Sequence, residues 1–178
     1  MSWHGRKAQV VDTNVAVVAN GRHNETRRCA NNCAQALLRV TKFGAIVIDD
    51  AHRILEEYRI YCSFSGQPGM GDAFFRWVYN NIARIDLVNR VAITPMVSLP
   101  QFFEQFPEHD ALKTFDPSDQ KFVAVANAHA DKPPILQATD SKWWMWKDAL
   151  RECGIVVEFL CQDEIQQTYE RKFIASQE

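Results

Sequence analysis

Short apolar runs alternate along this chain with stretches in which apolar residues recur every three or four positions. The first run spans 8–12, through Val10 and Val11, and ends in Asp12. From 25 to 40, Cys29, Cys33, Ala36, Leu37 and Val40 mark one face of a predicted helix, with Asn24 as its candidate N-cap. Gly44 interrupts this spacing. Ala45-Ile46-Val47-Ile48 follows, a continuous run of the kind buried on both faces of a parallel sheet. Helical spacing returns over 51–64 through Ile54, Leu55, Tyr58 and Cys62, with Asp49 or Asp50 placed to cap it. A Gly/Pro-rich loop at 65–71 leads to a helix capped by Asp72 and carrying Phe75, Val78, Tyr79 and Ile82.

Farther along, the pattern predicts a short strand at 91–94, a short helix at 101–106, and a helix that Asp116 caps and Pro117 opens. A strand at 135–139 follows, then a helix at 141–153 ended by Gly154, a strand at 155–159 and a polar helix at 163–173. Strands alternating with helices predict one layered α/β domain over 1–178 with a mostly parallel sheet.

Composition narrows the function classes. A 47% hydrophobic content is ordinary for a globular chain, and no apolar stretch is long enough to cross a bilayer. The first residues lack the apolar core of a signal peptide, so the expected location is the cytoplasm. A net charge of −2 argues against a surface that grips nucleic acid everywhere. It leaves room for a local basic rim at Arg22, Arg27 and Arg28 or at Lys142 and Lys147, although solvated helix faces explain these charges as well. The cysteines, at 29, 33, 62, 153 and 161, are read as small buried or half-buried thiols rather than zinc ligands, because Cys-x-x-Cys pairs and added histidines are missing. The five histidines show no metal-ligand spacing.

Four acids carry the chemistry. Asp12 ends one apolar strand, and Asp140 follows directly on another. Ligand sites in open α/β sheets lie outside the carboxyl ends of the strands. Carboxylates converging there repel one another, and a hard cation such as Mg²⁺ or Mn²⁺ is the usual compensation. With helical residues placed at about 100° steps, Glu56 points away from the apolar face while Glu57 lies on its flank. Asp119 falls at the third helical position after the Asp116 cap. Each acid also has a plainer reading, as a cap, a dipole partner or a surface charge. Trp143, Trp144 and Trp146 fit core packing better than base stacking, and the 66–71 loop fits a surface turn or a lid rather than a phosphate loop.

These residues together resemble a known family. Val10-Val11-Asp12-Thr13-Asn14 looks like the opening of a PIN domain, and Ile54-Leu55-Glu56-Glu57-Tyr58 resembles the helix that bears that family's second acid. The run from Asp119 to Ala126 looks like the third acid with its Ala-rich helix, and Ala138-Thr139-Asp140-Ser141 like the strand end that carries the fourth. The resemblance implies a three-layer α/β/α sandwich with a central sheet of four to five strands. It implies a metal-dependent nuclease, most often one acting on RNA, with Asp12, Glu57, Asp119 and Asp140 as its catalytic and metal-binding residues, Mg²⁺ or Mn²⁺ as the cofactor, and Asn14 steadying the site. Bacterial members are frequently toxins restrained by an antitoxin. The candidate partners are therefore RNA as substrate, an antitoxin protein and a second copy of the chain, with no membrane. The segment between Glu57 and Asp119 is longer than in the minimal toxin. A catalytically silent PIN-like binding or scaffold module is the rival reading. A phosphoacceptor domain is disfavoured, since no late strand ends in a lysine.

Overall fold

The computed structural model describes residues 6–22, 25–64 and 69–174. In chain order the first elements are β1 (Lys7–Val11), α1 (Thr13–Ala19), α2 (Arg27–Phe43), β2 (Gly44–Asp49), α3 (Arg53–Tyr61) and α4 (Met70–Asn80). Then come β3 (Val88–Val91), β4 (Pro95–Met96), β5 (Leu99–Phe103), α5 (Gln120–Ala128), β6 (Ile135–Gln137), α6 (Ser141–Glu152), β7 (Val157–Phe159) and α7 (Gln162–Tyr169). Five strands form one sheet in the order β3-β2-β1-β6-β7, and every neighbouring pair is parallel. Helices flank this sheet in a three-layer α/β/α arrangement, while β4 and β5 pair separately as an antiparallel hairpin. No helix among the described residues is long and apolar enough to cross a membrane.

The strand sequences explain the layering. All six residues of β2 are buried, as a strand covered on both faces requires. Val10 of β1 lies opposite Ile135 of β6, and Ile46 of β2 opposite Val88 of β3, all fully buried. Truncating one such side chain to Ala costs about 2–5 kcal/mol through lost transfer energy and the cavity left behind. Helix α4 packs hard on α1 at Gly71, where an added Cβ would stand 2.0 Å from the Ala16 carbonyl oxygen. Any side chain there would drive the two helices apart.

Several boundaries differ from those the sequence predicts. Thr13–Ala19 is a helix, although its β-branched residues resemble a continuing strand; Asp12 caps it by accepting from the Asn14 amide at 2.7 Å. Thr26 caps α2; Asn24 lies outside the described residues, as does most of the predicted 65–71 loop. Asp49 does cap α3, through the Arg53 and Ile54 amides, but the helix begins only after the left-handed His52. Asp72 stands inside α4 and reaches back to the Gly69 amide. The third strand is 88–91 rather than 91–94, and the predicted 101–106 helix is a hairpin. Asp116 folds onto Ser118, so α5 starts at Gln120.

Two cysteines also depart from expectation. Cys29 of α2 and Cys161, just before α7, form a disulfide, so they are not the free thiols that spacing alone suggested. Cys33, Cys62 and Cys153 are free.

Candidate functional site

β1 brings Asp12 to the middle of the sheet's carboxyl edge. The chain runs outward from β1 to β2 and β3 on one side, and places β6 and β7 on the other. The strand order therefore reverses at β1, and such a switch point opens a crevice outside the strand ends. A cleft of about 700 Å³ occupies this place, lined by Asp12, Thr13, Asn14, Glu57, Asp119 and Asp140 together with rim residues. All four sequence-predicted acids thus reach one cavity from four different parts of the chain. A second cavity of about 450 Å³, between Lys7, Ala45, Asn89 and His129, gathers none of them.

Each acid is held differently. Asp12 is 4% exposed, and its backbone amide bonds the Leu136 carbonyl of β6 at 3.0 Å. Asp140 stands three residues beyond the end of β6, not directly on it, and caps α6 by accepting from the Lys142 amide at 3.0 Å. Asn14 ties this link to α1: its side chain accepts from the Thr139 amide at 3.0 Å and donates to the Thr139 hydroxyl at 3.3 Å. Asp119 precedes α5 without capping it by its side chain, so its carboxylate is left to the cleft, where Trp143 Nε1 donates to it at 3.2 Å. The fully buried Trp143 therefore serves both core and site. Glu57 comes from α3, whereas Glu56 is exposed and paired with Arg59 at 2.6 Å.

The acids disturb one another. Burial, above all, raises the Asp12 pKa well above the usual carboxylate value; the charges of Asp119, Glu57 and Asp140 add to this, against the bond from Asn14. Burial likewise lifts Asp119 to about 6, helped by Asp140 and Asp116 and opposed by Lys121 and the Trp143 N–H. Asp116 lies low instead, chiefly because Lys142 bonds it at 2.9 Å.

One site residue was missed in the sequence. Lys121 is buried, and its ammonium stands 2.6 Å from Glu57 while also donating to the Ser118 carbonyl. The available signal was a lone lysine in the first turn of an otherwise apolar helix, two residues after an acid. Of the expected basic rim, Arg22 instead bonds Asp72 and the Tyr61 carbonyl, Arg28 pairs with Asp163, and Lys147 pairs with Asp148. Arg53 does line the cleft.

The donor set suits a hard cation. It offers carboxylates of high mutual repulsion beside the Thr13 hydroxyl, a buried oxygen with no hydrogen-bond partner. Among the described residues, three or more acid, cysteine or histidine ligand atoms gather within 4.8 Å of one another only around Cys29, not at this cleft. The carboxylates are therefore spread more widely than a fully protein-liganded ion needs. Comparison with family models, curated proteins and solved structures finds no match to this chain.

Proposed function

We propose that this chain is a metal-dependent endonuclease of the PIN type, hydrolysing phosphodiester bonds in single-stranded RNA. The observation that carries this reading is the meeting of Asp12, Glu57, Asp119 and Asp140 in one cleft at the topological switch point. Four acids from separate elements cost stability wherever they repel, and a cation site gives that cost a purpose.

Asp12, Glu57, Asp119 and Asp140 would hold Mg²⁺ or Mn²⁺, which, when bound, lowers the pKa of an attacking water and neutralises charge on the phosphoryl group and leaving oxygen. The protein's own part is positioning. Asn14 fixes the Thr139–Asp140 link against the end of β1, so Asp12 and Asp140 keep their spacing. Trp143 does the same for Asp119. Lys121 supplies positive charge beside Glu57, and Arg53, held over the Phe103 ring, offers further donors to a flanking phosphate at the rim. Ile60 and Tyr61, 72% and 51% exposed, present apolar surface on which an unpaired base can stack. An RNA substrate would place this work in the cytoplasm, and a toxin held by an antitoxin is the physiological form that the resemblance favours.

The deciding experiment is cleavage of single-stranded RNA, with single-stranded and duplex DNA alongside. Cleavage that needs Mn²⁺ or Mg²⁺, stops with EDTA and disappears in Asp12→Asn supports the reading. A wild-type protein that binds RNA but cuts nothing with either metal makes it a binding module instead, and exclusive cutting of DNA changes the substrate.

A further inference from the structure

A second ligand-rich cluster lies where α2 meets the start of α7. Cys29 and Cys33 are four residues apart on α2 and so share one face of it. Cys161 approaches them from the far end of the sequence. The ligand atoms of Cys29, Cys33 and Cys161 all lie within 4.8 Å of one another, and so do those of Glu25, Cys29 and Glu164. All three sulfurs are buried. Glu164 is oriented by Thr26, the cap of α2, whose hydroxyl donates to one carboxylate oxygen. The other oxygen, Oε2, is buried and has no hydrogen-bond partner.

We propose that Cys29, Cys33 and Cys161, with Glu164 as the fourth ligand, form a site for a thiophilic divalent cation, zinc first of all, and that the Cys29–Cys161 disulfide is the oxidised, metal-free form of that site. A disulfide accounts for two sulfurs only. It gives no reason for a third buried sulfur 4.0 Å from Cys161, or for a carboxylate beside Cys29 with one buried oxygen lacking a hydrogen-bond partner. Tetrahedral zinc accounts for both. With Zn–S bonds of about 2.3 Å, neighbouring sulfurs stand roughly 3.8 Å apart. The Cys33–Cys161 separation of 4.0 Å is close to this, and Cys29 has to release Cys161. Thiolate sulfurs and carboxylate oxygens are both zinc ligands.

The steps balance simply. A dithiol reductant gives two electrons and two protons to the Cys29–Cys161 bond and itself becomes a disulfide. Zinc then binds three sulfurs and releases their thiol protons, with no change in its own oxidation state. In a reducing compartment the metal form would prevail, since intracellular thiols are kept reduced. The role is structural. Ile165 is the buried residue of α7, so this helix has little core of its own, and the site would clamp it to α2.

The test uses the full chain, reduced with a non-thiol phosphine and titrated with Co²⁺ and then Zn²⁺. The expected result is a thiolate-to-cobalt charge-transfer band that one zinc per chain abolishes, with a higher Tm in the zinc form. Cys33→Ser is decisive because it leaves the disulfide pair intact: it should lose the band and the zinc-dependent rise in Tm. Glu164→Gln should weaken the band, and Asp12→Asn should leave it unchanged, which separates this site from the acidic cleft. No band in the reduced wild type, or an equal band in Cys33→Ser, overturns the proposal and leaves a plain disulfide. A reduced chain that unfolds and is restored by zinc supports it, and one that zinc fails to restore overturns it.

Discussion

Lys121 Nζ stands 2.6 Å from a Glu57 carboxylate oxygen, joining α5 to α3 across the wall of the acidic cleft. This ammonium also opposes the charge that Asp119 carries, so it acts on two of the four acids. Its side chain is 11% exposed, so the pair is far less screened than a surface ion pair. Lys121→Met should destabilise the chain by about 1–2 kcal/mol in EDTA, because it leaves Glu57 without a partner. Saturating Mn²⁺ should recover part of that loss. Thermal melts of both proteins with and without metal check this, and an unchanged deficit in Mn²⁺ would mean that the lysine does not act as a counter-charge.

Asp12→Asn should separate activity from stability. Asn caps a helix as well as Asp does, so the bond from the Asn14 amide can be kept. The substitution also removes a buried charge that three other acids oppose. Tm without metal should hold or rise, while kcat for RNA cleavage should fall about 100-fold or more. A lower Tm with retained activity would contradict the proposed role.

The two adjacent glutamates of α3 give a sharper contrast. Glu56 is exposed and pairs with Arg59, an interaction worth about 0–1 kcal/mol. Glu57 is 26% exposed and faces Lys121 within the cleft. Glu56→Gln should leave kcat near wild type, whereas Glu57→Gln should lower it and weaken Mn²⁺ binding. Equal effects in steady-state kinetics would sink the assignment of Glu57.

The pH dependence has a definite sign. Asp119 titrates at about 6 in the folded chain, and Asp12 also well above the usual carboxylate range. Between about pH 4 and that value the folded chain holds a proton that the unfolded chain has released. These groups therefore add stability below the window and lose it as pH rises through it. In EDTA, Asp119→Asn should gain Tm relative to wild type near pH 7.5 and lose that advantage near pH 5. Metal binds the deprotonated acids, so the Tm gain from Mn²⁺ should shrink as pH falls through about 6. A gain that is flat with pH would show that Asp119 is not a ligand.

Asn14→Ala should act through position alone. It removes both bonds to Thr139, and with them the tether on the Asp140 link. RNA cleavage should slow and Mn²⁺ affinity should drop, though less than in Asp140→Asn. Matching isothermal titrations for Asn14→Ala and wild type would exclude this positioning role.

Hydrophobic periodicity alone determined much of this protein. The buried runs of β1, β2 and β6, the faces of α2 and α3, and the contrast between Glu56 and Glu57 all follow from spacing, because burial on one face or on both leaves a local pattern. Residues 95–103 were illegible as a hairpin, since a two-residue strand and an exposed partner carry almost no periodicity. α1 was hidden by its valines, whose strand preference is overridden by the Asp12 cap and by packing against α2 and α4. The tertiary structure decided what meets what. The strand order brings Asp140 beside Asp12 from 128 positions away, turns Lys121 onto Glu57, and sets Cys161 against Cys29 and Cys33. Such contacts depend on how separate elements pack in space, and a linear pattern records only the face that each element buries.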